Sequence, residues 1–369
     1  MEDASPQEAA VLAAIRDNPF VGQQEIADLL GLARSTVAAH VVQLMQKGHI
    51  LGRGYILAPP ARAVCIGGAV VDRKYRAKQT LVSETSNPVD GVRSLGGVAR
   101  NVAENLARLG TATTFVSIVG DDEAGRTLLA HMRERGIDVS QVLVTGEKPT
   151  AEYAAVLDRA GDLVMGLADM SIFDLLRPDH IDRVWPHLAS AGWVFSDCNL
   201  PAETLAALIE RAREARFKLA IDAVSTVKAA RLPKNLSGIG LLLMNLDEAN
   251  AILGRRTPKT LAEAEQAALG LQAAGAREAV VTMGAEGVVV AGCEGLKILP
   301  AISAAAIDMT GAGDAMIAGT LHRLMAGDDV YAAAKVGALL GALTTESPAS
   351  VHPQLSPMFL DANLHRIGL

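Results

Sequence analysis

The residues best suited to chemistry are Asp308, Thr310, Gly311, Ala312, Gly313 and Asp314, which lie within the stretch from Ile307 to Ala315. Ala, Met, Ile and Leu follow at helical spacing as far as Leu324, so the glycines fall where a loop turns into a helix. Such a junction presents unpaired backbone N–H groups and the positive end of the helix dipole, the environment a transferring phosphoryl group needs. Small side chains let an anion approach the backbone. Asp314 falls just inside the helix, where its carboxylate can take a proton from a substrate hydroxyl while neighbouring amides hold the phosphate. A Gly-rich turn that opens a helix is often only a turn, so other polar positions must support the reading.

Asp72 lies just past the short apolar strand 63–66 and its Gly67-Gly68 turn, where the ligand contacts of parallel sheets gather. Gly96 and Gly97 precede a helix and permit close backbone approach; Asn101 in that helix can bind sugar hydroxyls, or serve as a cap or packing amide. Asn245 and Glu248 stand three apart on one helix face, which suits Mg²⁺ held through water and equally an ordinary acidic helix start. Thr282, Gly284 and Gly287 follow a buried strand and would receive nucleotide phosphates or simply turn a hairpin. There is no Walker A pattern, and no GxGxxG follows the first strand.

The elements that must position these groups alternate. Segments 113–119, 151–157, 193–196, 218–222, 241–244 and 279–282 read as strands, with amphipathic helices such as 202–215 and 261–274 between them. That alternation predicts an α/β fold with a mainly parallel sheet covered on both faces. The polar stretch 73–94 lacks helical period and reads as extended strands over the site, a lid that excludes water, or else a solvated hairpin. Half of the 369 residues are hydrophobic, enough for about two domains, and aromatics make up only 3%. A net charge of −7 argues against a chain built mainly to bind nucleic acid. No apolar run approaches the ~20 residues of a membrane span, and the acidic N-terminus lacks a signal-peptide pattern, so a cytoplasmic location is expected. Cys65, Cys198 and Cys293 have no metal-ligand spacing and are expected to be buried thiols.

Residues 1–58 follow a different pattern. Val11, Leu12 and Ile15 make one apolar face; a short helical run, 25–30, closes at Gly31, and a third runs from Arg34 through Val37, Val41 and Leu44 to Gly48. Residues 50–57 read as a hairpin, which completes a winged helix-turn-helix, and 59–61 form a linker to a second domain at 62–369. Arg34, Ser35, Thr36, His40 and Gln43 would face the major groove, with Arg53 on the wing. Yet four basic residues stand against six acidic ones in this segment, which weakens phosphate contact, so a dimerisation or packing role stays open.

From Gly67 to Asp72, through Gly96-Gly97 with Asn101, Asn245 to Glu248 and Thr282 to Gly287, to Asp308–Ala315, these stretches keep the order found in ribokinase-like, PfkB-type carbohydrate kinases. The chain resembles that family from about residue 62 onward. Within it the chain looks most like the pseudouridine kinases, through Thr85-Ser86-Asn87-Pro88-Val89, Gly96-Gly97-Val98-Ala99-Arg100-Asn101, Ala168-Asp169-Met170, Ser196-Asp197-Cys198-Asn199 and Asp222-Ala223-Val224-Ser225. The resemblance implies a three-layer α/β/α sandwich with a small β lid at about 73–95, and an ATP-dependent kinase using Mg²⁺ and K⁺. It implies that Asp314 activates a ribose 5′-hydroxyl while Gly311, Ala312 and Gly313 hold the γ-phosphate. Asp72, Gly96, Gly97 and Asn101 would hold the sugar, and Asn87 or Asp169 would read the base. Asn245 and Glu248 would order Mg²⁺ and phosphate; Thr282, Gly284 and Gly287 would line the ATP site; Asp308 and Thr310 match positions that hold a monovalent cation in many relatives. Val70 departs from the Asn frequent two residues before the sugar-binding Asp, and Met244, Ala223 and Leu95 also depart from frequent residues. Three readings follow: a pseudouridine kinase, a kinase for another nucleoside or sugar, and a ligand-sensing transcriptional regulator. An exposed sheet edge in the lid would invite a homodimer.

Overall fold

The structure is a computed structural model, and it describes residues 4–52, 62–256 and 258–369. Helices α1 (Pro6–Asp17), α2 (Gln23–Leu30) and α3 (Arg34–Gln46) form the N-terminal module. Strand β1 (Arg62–Ile66) is followed by β2 (Val70–Ala77), β3 (Val89–Gly96) and α4 (Val98–Arg108). Next come β4 (Ala112–Val116), β5 (Ile118–Gly120), α5 (Glu123–Glu134), β6 (Leu143–Thr145), β7 (Glu152–Leu157), β8 (Leu163–Asp169) and α6 (Pro178–Ala189). Regular alternation continues through β9 (Trp193–Asp197), α7 (Ala202–Ala212), β10 (Lys218–Asp222), α8 (Thr226–Ala229), β11 (Leu241–Asn245) and α9 (Leu246–Leu253). Helix α10 (Leu261–Ala273), β12 (Glu278–Thr282), β13 (Val288–Gly292), β14 (Gly295–Leu299), α11 (Ala312–Met325), α12 (Val330–Thr345) and α13 (Pro357–Asn363) complete the chain.

The N-terminal module folds as its pattern predicts. Ser5 and Glu8 cap each other's backbone at the start of α1, and α2 stops at Gly31, whose φ of +65° suits glycine. Val11, Leu12, Ile15, Ile26, Val37, Val41 and Leu44 make its core. Gly48 at its end presses on the backbone of Ala189 and Ser190, just past α6. Most of the wing at 50–57, with Arg53, and the linker 59–61 lie outside the described residues.

The main sheet runs β14-β13-β12-β11-β10-β9-β1-β4 and is parallel from β12 to β4, with β13 and β14 antiparallel. Alternate residues serve opposite faces: Val64, Val194, Leu219 and Leu242 pack on the α6, α7 and α10 side, whereas Cys65, Phe195, Ala220 and Leu243 pack under α4 and α11. This is the expected three-layer sandwich. No helix among the described residues is long and apolar enough to cross a membrane.

Several local expectations change. Segment 113–119 is two strands, because Ser117 breaks it and donates to Gly67 O at 2.6 Å, after which β5 leaves the main sheet to pair with β6. Segment 151–157 joins the lid as β7, parallel to β2, and β8 extends that sheet to β3-β2-β7-β8. The lid is therefore twice as wide as 73–95 alone would make it. Cys65 and Cys198 are buried, but Cys293 is exposed on the β13–β14 turn.

Asp197 ties the carboxyl ends of the central strands to α4. Its buried carboxylate accepts from Gly68 N, Ala99 N and Asn199 N, each at 2.9 Å, and so caps α4 from another strand. Asp197→Ala leaves three interior donors without acceptors. We expect it to lower unfolding stability by about 3 kcal/mol, read from urea denaturation; an unchanged midpoint would remove this strut from the account.

Candidate active site

The N-cap Gly311 of α11 has φ +82°, and a Cβ there would meet Ser350 O at 2.0 Å, so only glycine fits. Gly313 opens onto free space, which leaves room for an anion over the first-turn N–H groups that lack partners within a helix. Asp314 sits in that turn. Burial raises its carboxyl to about 7, against the opposing pull of a hydrogen bond from Asn101 and the charge of Arg100; Asp197 and Asp72 add to the rise.

Asn101 Nδ2 donates to Asp314 Oδ2 at 2.6 Å. Its Oδ1 in turn accepts from Arg100, which also donates to Glu104 Oε2 (2.6 Å) and to Leu95 O at the root of the lid (2.9 Å). Arg100 and Glu104 are almost wholly buried. Glu104 also meets Arg108, His131 and Arg135; although burial works against it, Arg100 and these hydrogen bonds hold its carboxyl down at about 2. The sequence contains this array as Arg100, Glu104 and Arg108 at i, i+4 and i+8, a spacing whose meaning depends on burial that only the fold supplies.

Asp72 is half-buried on β2, and burial raises its carboxyl against Arg100 and Lys74. Its carboxylate fills the space a Cβ on Gly96 would need, with Oδ2 2.0 Å from that position, while Gly97 closes on Gly68 O. Val70 turns into a small apolar cluster with Ile118 and Phe173. The structure thus brings together Asp72, Gly96, Gly97, Asn101 and Asp314.

A cavity of about 190 Å³ adjoins Asp314, lined also by Asp222, Asn245, Glu248, Thr282 and Gly313. Asn245 and Glu248 form a reciprocal capping box, the side chain of each accepting the other's backbone N–H at 3.0 Å. Burial raises the carboxyls of Glu248 and Asp222, and Asp222 is raised further by Glu248 and Asp314. Such crowded acids fit a divalent cation brought in with phosphate. Among the described residues no three His, Cys, Asp or Glu side chains are grouped as a metal site. Asp222, like Asp197, was not singled out by its spacing. Beside it Val224 holds φ +65°, a strained backbone for a β-branched residue, and donates its N–H to Asp222 Oδ1 at 2.7 Å.

Other candidates fall elsewhere. Gly284 and Gly287 shape the β12–β13 turn, where a Cβ on Gly287 would strike Leu299 O, so they serve the hairpin. Asn87 spends its amide on Val82 and Thr85 within the lid loop. Asp169 pairs in register with Glu152, and Asp72 with Tyr153, so the pleat puts Asp169 on the opposite lid face from Asp72. At Asp308, Oδ1 accepts from Thr310 N and Oγ1, and Oδ2 accepts from Lys74 Nζ, so each carboxylate oxygen already has a protein donor. On α3, Arg34, Ser35 and Gln43 are exposed, Thr36 and His40 half-buried, with His40 Nε2 3.2 Å from Gln7 Oε1.

A doubly wound sheet whose carboxyl ends face a glycine-started helix with an acid in its first turn has the ribokinase-like fold of small-molecule kinases. Residues 60–356 match the profile described as pfkB family carbohydrate kinase, and the chain belongs to that family. Residues 7–50 match the one described as Winged helix-turn-helix DNA-binding. Over 351 residues the chain is 32% identical to the Uncharacterized sugar kinase YeiI of Escherichia coli, covering 95% of this chain and 96% of that one. It is 32% identical over 257 residues to the Pseudouridine kinase of Escherichia coli, covering 69% and 81%. A solved Carbohydrate kinase from Agrobacterium tumefaciens aligns with a TM-score of 0.73 and 31% identity over 83% of this chain and 97% of that one.

A carboxylate base works only when deprotonated. Turnover is therefore expected to rise with pH through about 7 and level off above it. Arg100→Met should move that limb upward by about one pH unit, and Arg100→Lys should restore it in part. An unmoved limb would show that Arg100 does not tune Asp314.

Proposed function

We propose that this chain is an ATP-dependent kinase that phosphorylates the 5′-hydroxyl of pseudouridine. The observation that carries the kinase reading is Asp314 itself, a half-buried carboxylate whose pKa is pushed up to about 7, fixed by Asn101 and seated in the first turn of α11 behind Gly311. Asp314 takes the proton of the sugar hydroxyl as Asp72, Gly96, Gly97 and Asn101 hold the sugar. Gly311, Ala312 and Gly313 receive the γ-phosphate, and Thr282 lines the nucleotide side. Mg²⁺, when bound with ATP, would neutralise phosphate oxygens, and Asn245 and Glu248 would hold it through water. The work is positioning and charge stabilisation. Pseudouridine as acceptor is supported by the shared motifs and by the 32% identity to a pseudouridine kinase. A kinase for another nucleoside or sugar is favoured by two observations: Asn87 is spent on its own loop, and Asp169 lies on the far lid face.

Strand β8 is exposed along its length, with Leu163, Val164, Met165 and Leu167 each more than half exposed, which supports a homodimer formed through the lid. The exposed Arg34, Ser35 and Gln43 support DNA contact by α3. Sedimentation of the full chain is expected to give a dimer mass. Fluorescence anisotropy with duplex from its own promoter is expected to show binding that Arg34→Ala weakens; equal binding by that variant would remove α3 as the reader.

The decisive experiment compares ATP consumption with pseudouridine, uridine, adenosine, ribose and fructose 6-phosphate. Pseudouridine is expected to be preferred, and Asp314→Asn to lower kcat by at least ~10²-fold with ATP binding little changed. Near wild-type turnover in that variant would sink the assignment of the base, and ligand binding without turnover would favour a sensor.

A further inference from the structure

The loop that leads into Gly311 is held from two sides. Ile307 N and Asp308 N donate to Thr345 O on α12, at 2.7 and 3.2 Å. From the lid, Lys74 Nζ reaches Asp308 Oδ2 at 3.1 Å, while Oδ1 accepts from Thr310 N (2.8 Å) and Thr310 Oγ1 (2.6 Å). We propose that Lys74 is a built-in replacement for a monovalent cation at Asp308, delivered by lid strand β2, so that this chain transfers phosphoryl groups without K⁺. The inference rests on the kinase reading above.

Charge equivalence is the first support. An ammonium carries the same single charge as the ion and offers three donors to surrounding oxygens. Tethering is the second: a cation on a strand that already packs over the site is present at an effective concentration of roughly millimolar or more, whatever the solution contains. Register is the third. Lys74 lies two residues beyond Asp72 and so on the same lid face, and its cross-strand neighbours Val92 and Ala155 offer no side-chain acceptor. Arg73 and Lys78, by contrast, pair with the lid carboxylates of Glu152 and Asp90. At Asp308 Oδ2, K⁺ would have to displace this ammonium or share the oxygen with it.

Turnover of the full chain with ATP and its best acceptor is measured in tetramethylammonium buffer and again with about 100 mM K⁺ at constant ionic strength, because salt screens exposed charge pairs. The wild type is expected to change by less than about twofold. Lys74→Met keeps the stem and removes the charge; it should be slow without K⁺ and recover by roughly fivefold or more when K⁺ is supplied. Thermal melting gives a readout that needs no turnover: K⁺ should raise the Tm of Lys74→Met and leave that of the wild type unchanged. A wild type activated several-fold by K⁺, or a variant indifferent to K⁺ in both rate and melting, overturns the proposal. Absence of turnover in every condition would strike the kinase reading instead, and the melting comparison would still decide the role of Lys74.

Discussion

One buried cation, Arg100, fixes the amide that faces Asp314. A guanidinium can only donate, so Asn101 must turn its oxygen toward Arg100 and its NH₂ toward the carboxylate. Burying Arg100 is costly, and Glu104 offsets that cost while its own charge is met by Arg108, His131 and Arg135. Because these residues come from α4 and α5, and Arg100 also grips Leu95 O, Asp314, α4 and the lid root share one hydrogen-bonded frame. A buried ion pair of this kind contributes little to net stability compared with apolar packing. What it supplies is a single geometry.

Asp314 and the acids near it make the opposite bargain. Asp72, Asp222, Glu248 and Asp314 are all raised by burial, and none of them has a direct cationic partner comparable to that of Glu104. Such crowding is unfavourable in an empty cleft and would be relieved by a ligand that brought positive charge with it. The strained Val224 beside Asp222 belongs to the same economy, in which local cost is tolerated where binding will occur.

Much of this was legible in the sequence because it rests on short-range rules. Periodicity gave the three N-terminal helices, and the βα alternation gave the covered parallel sheet; Gly311 and Asp314 announced themselves as a helix start with an acid in its first turn. Reading failed where meaning depends on contacts distant in sequence. The break at Ser117 follows from a bond to Gly67 O, and β7 looked like any other strand until its pairing with β2 put it in the lid. Asp169 looked like a base reader, yet strand register alone turns it to the far face. Asp197 acts by capping a helix from a different strand, and Lys74 by reaching over 200 residues along the chain to Asp308; neither leaves a local pattern.

Strand β1 has two very different ends. At its start Arg62 is buried and donates to Thr114 and meets His187 of α6, so the chain arriving from the N-terminal module is anchored there. At its other end, about 16 Å away for five residues, stands the Gly67-Gly68 turn that packs on Asp197. Gly48 touches the chain just past α6, on the entry side of the sheet as well. The seat of the N-terminal module and the cavity beside Asp314 therefore lie at opposite ends of the parallel strands.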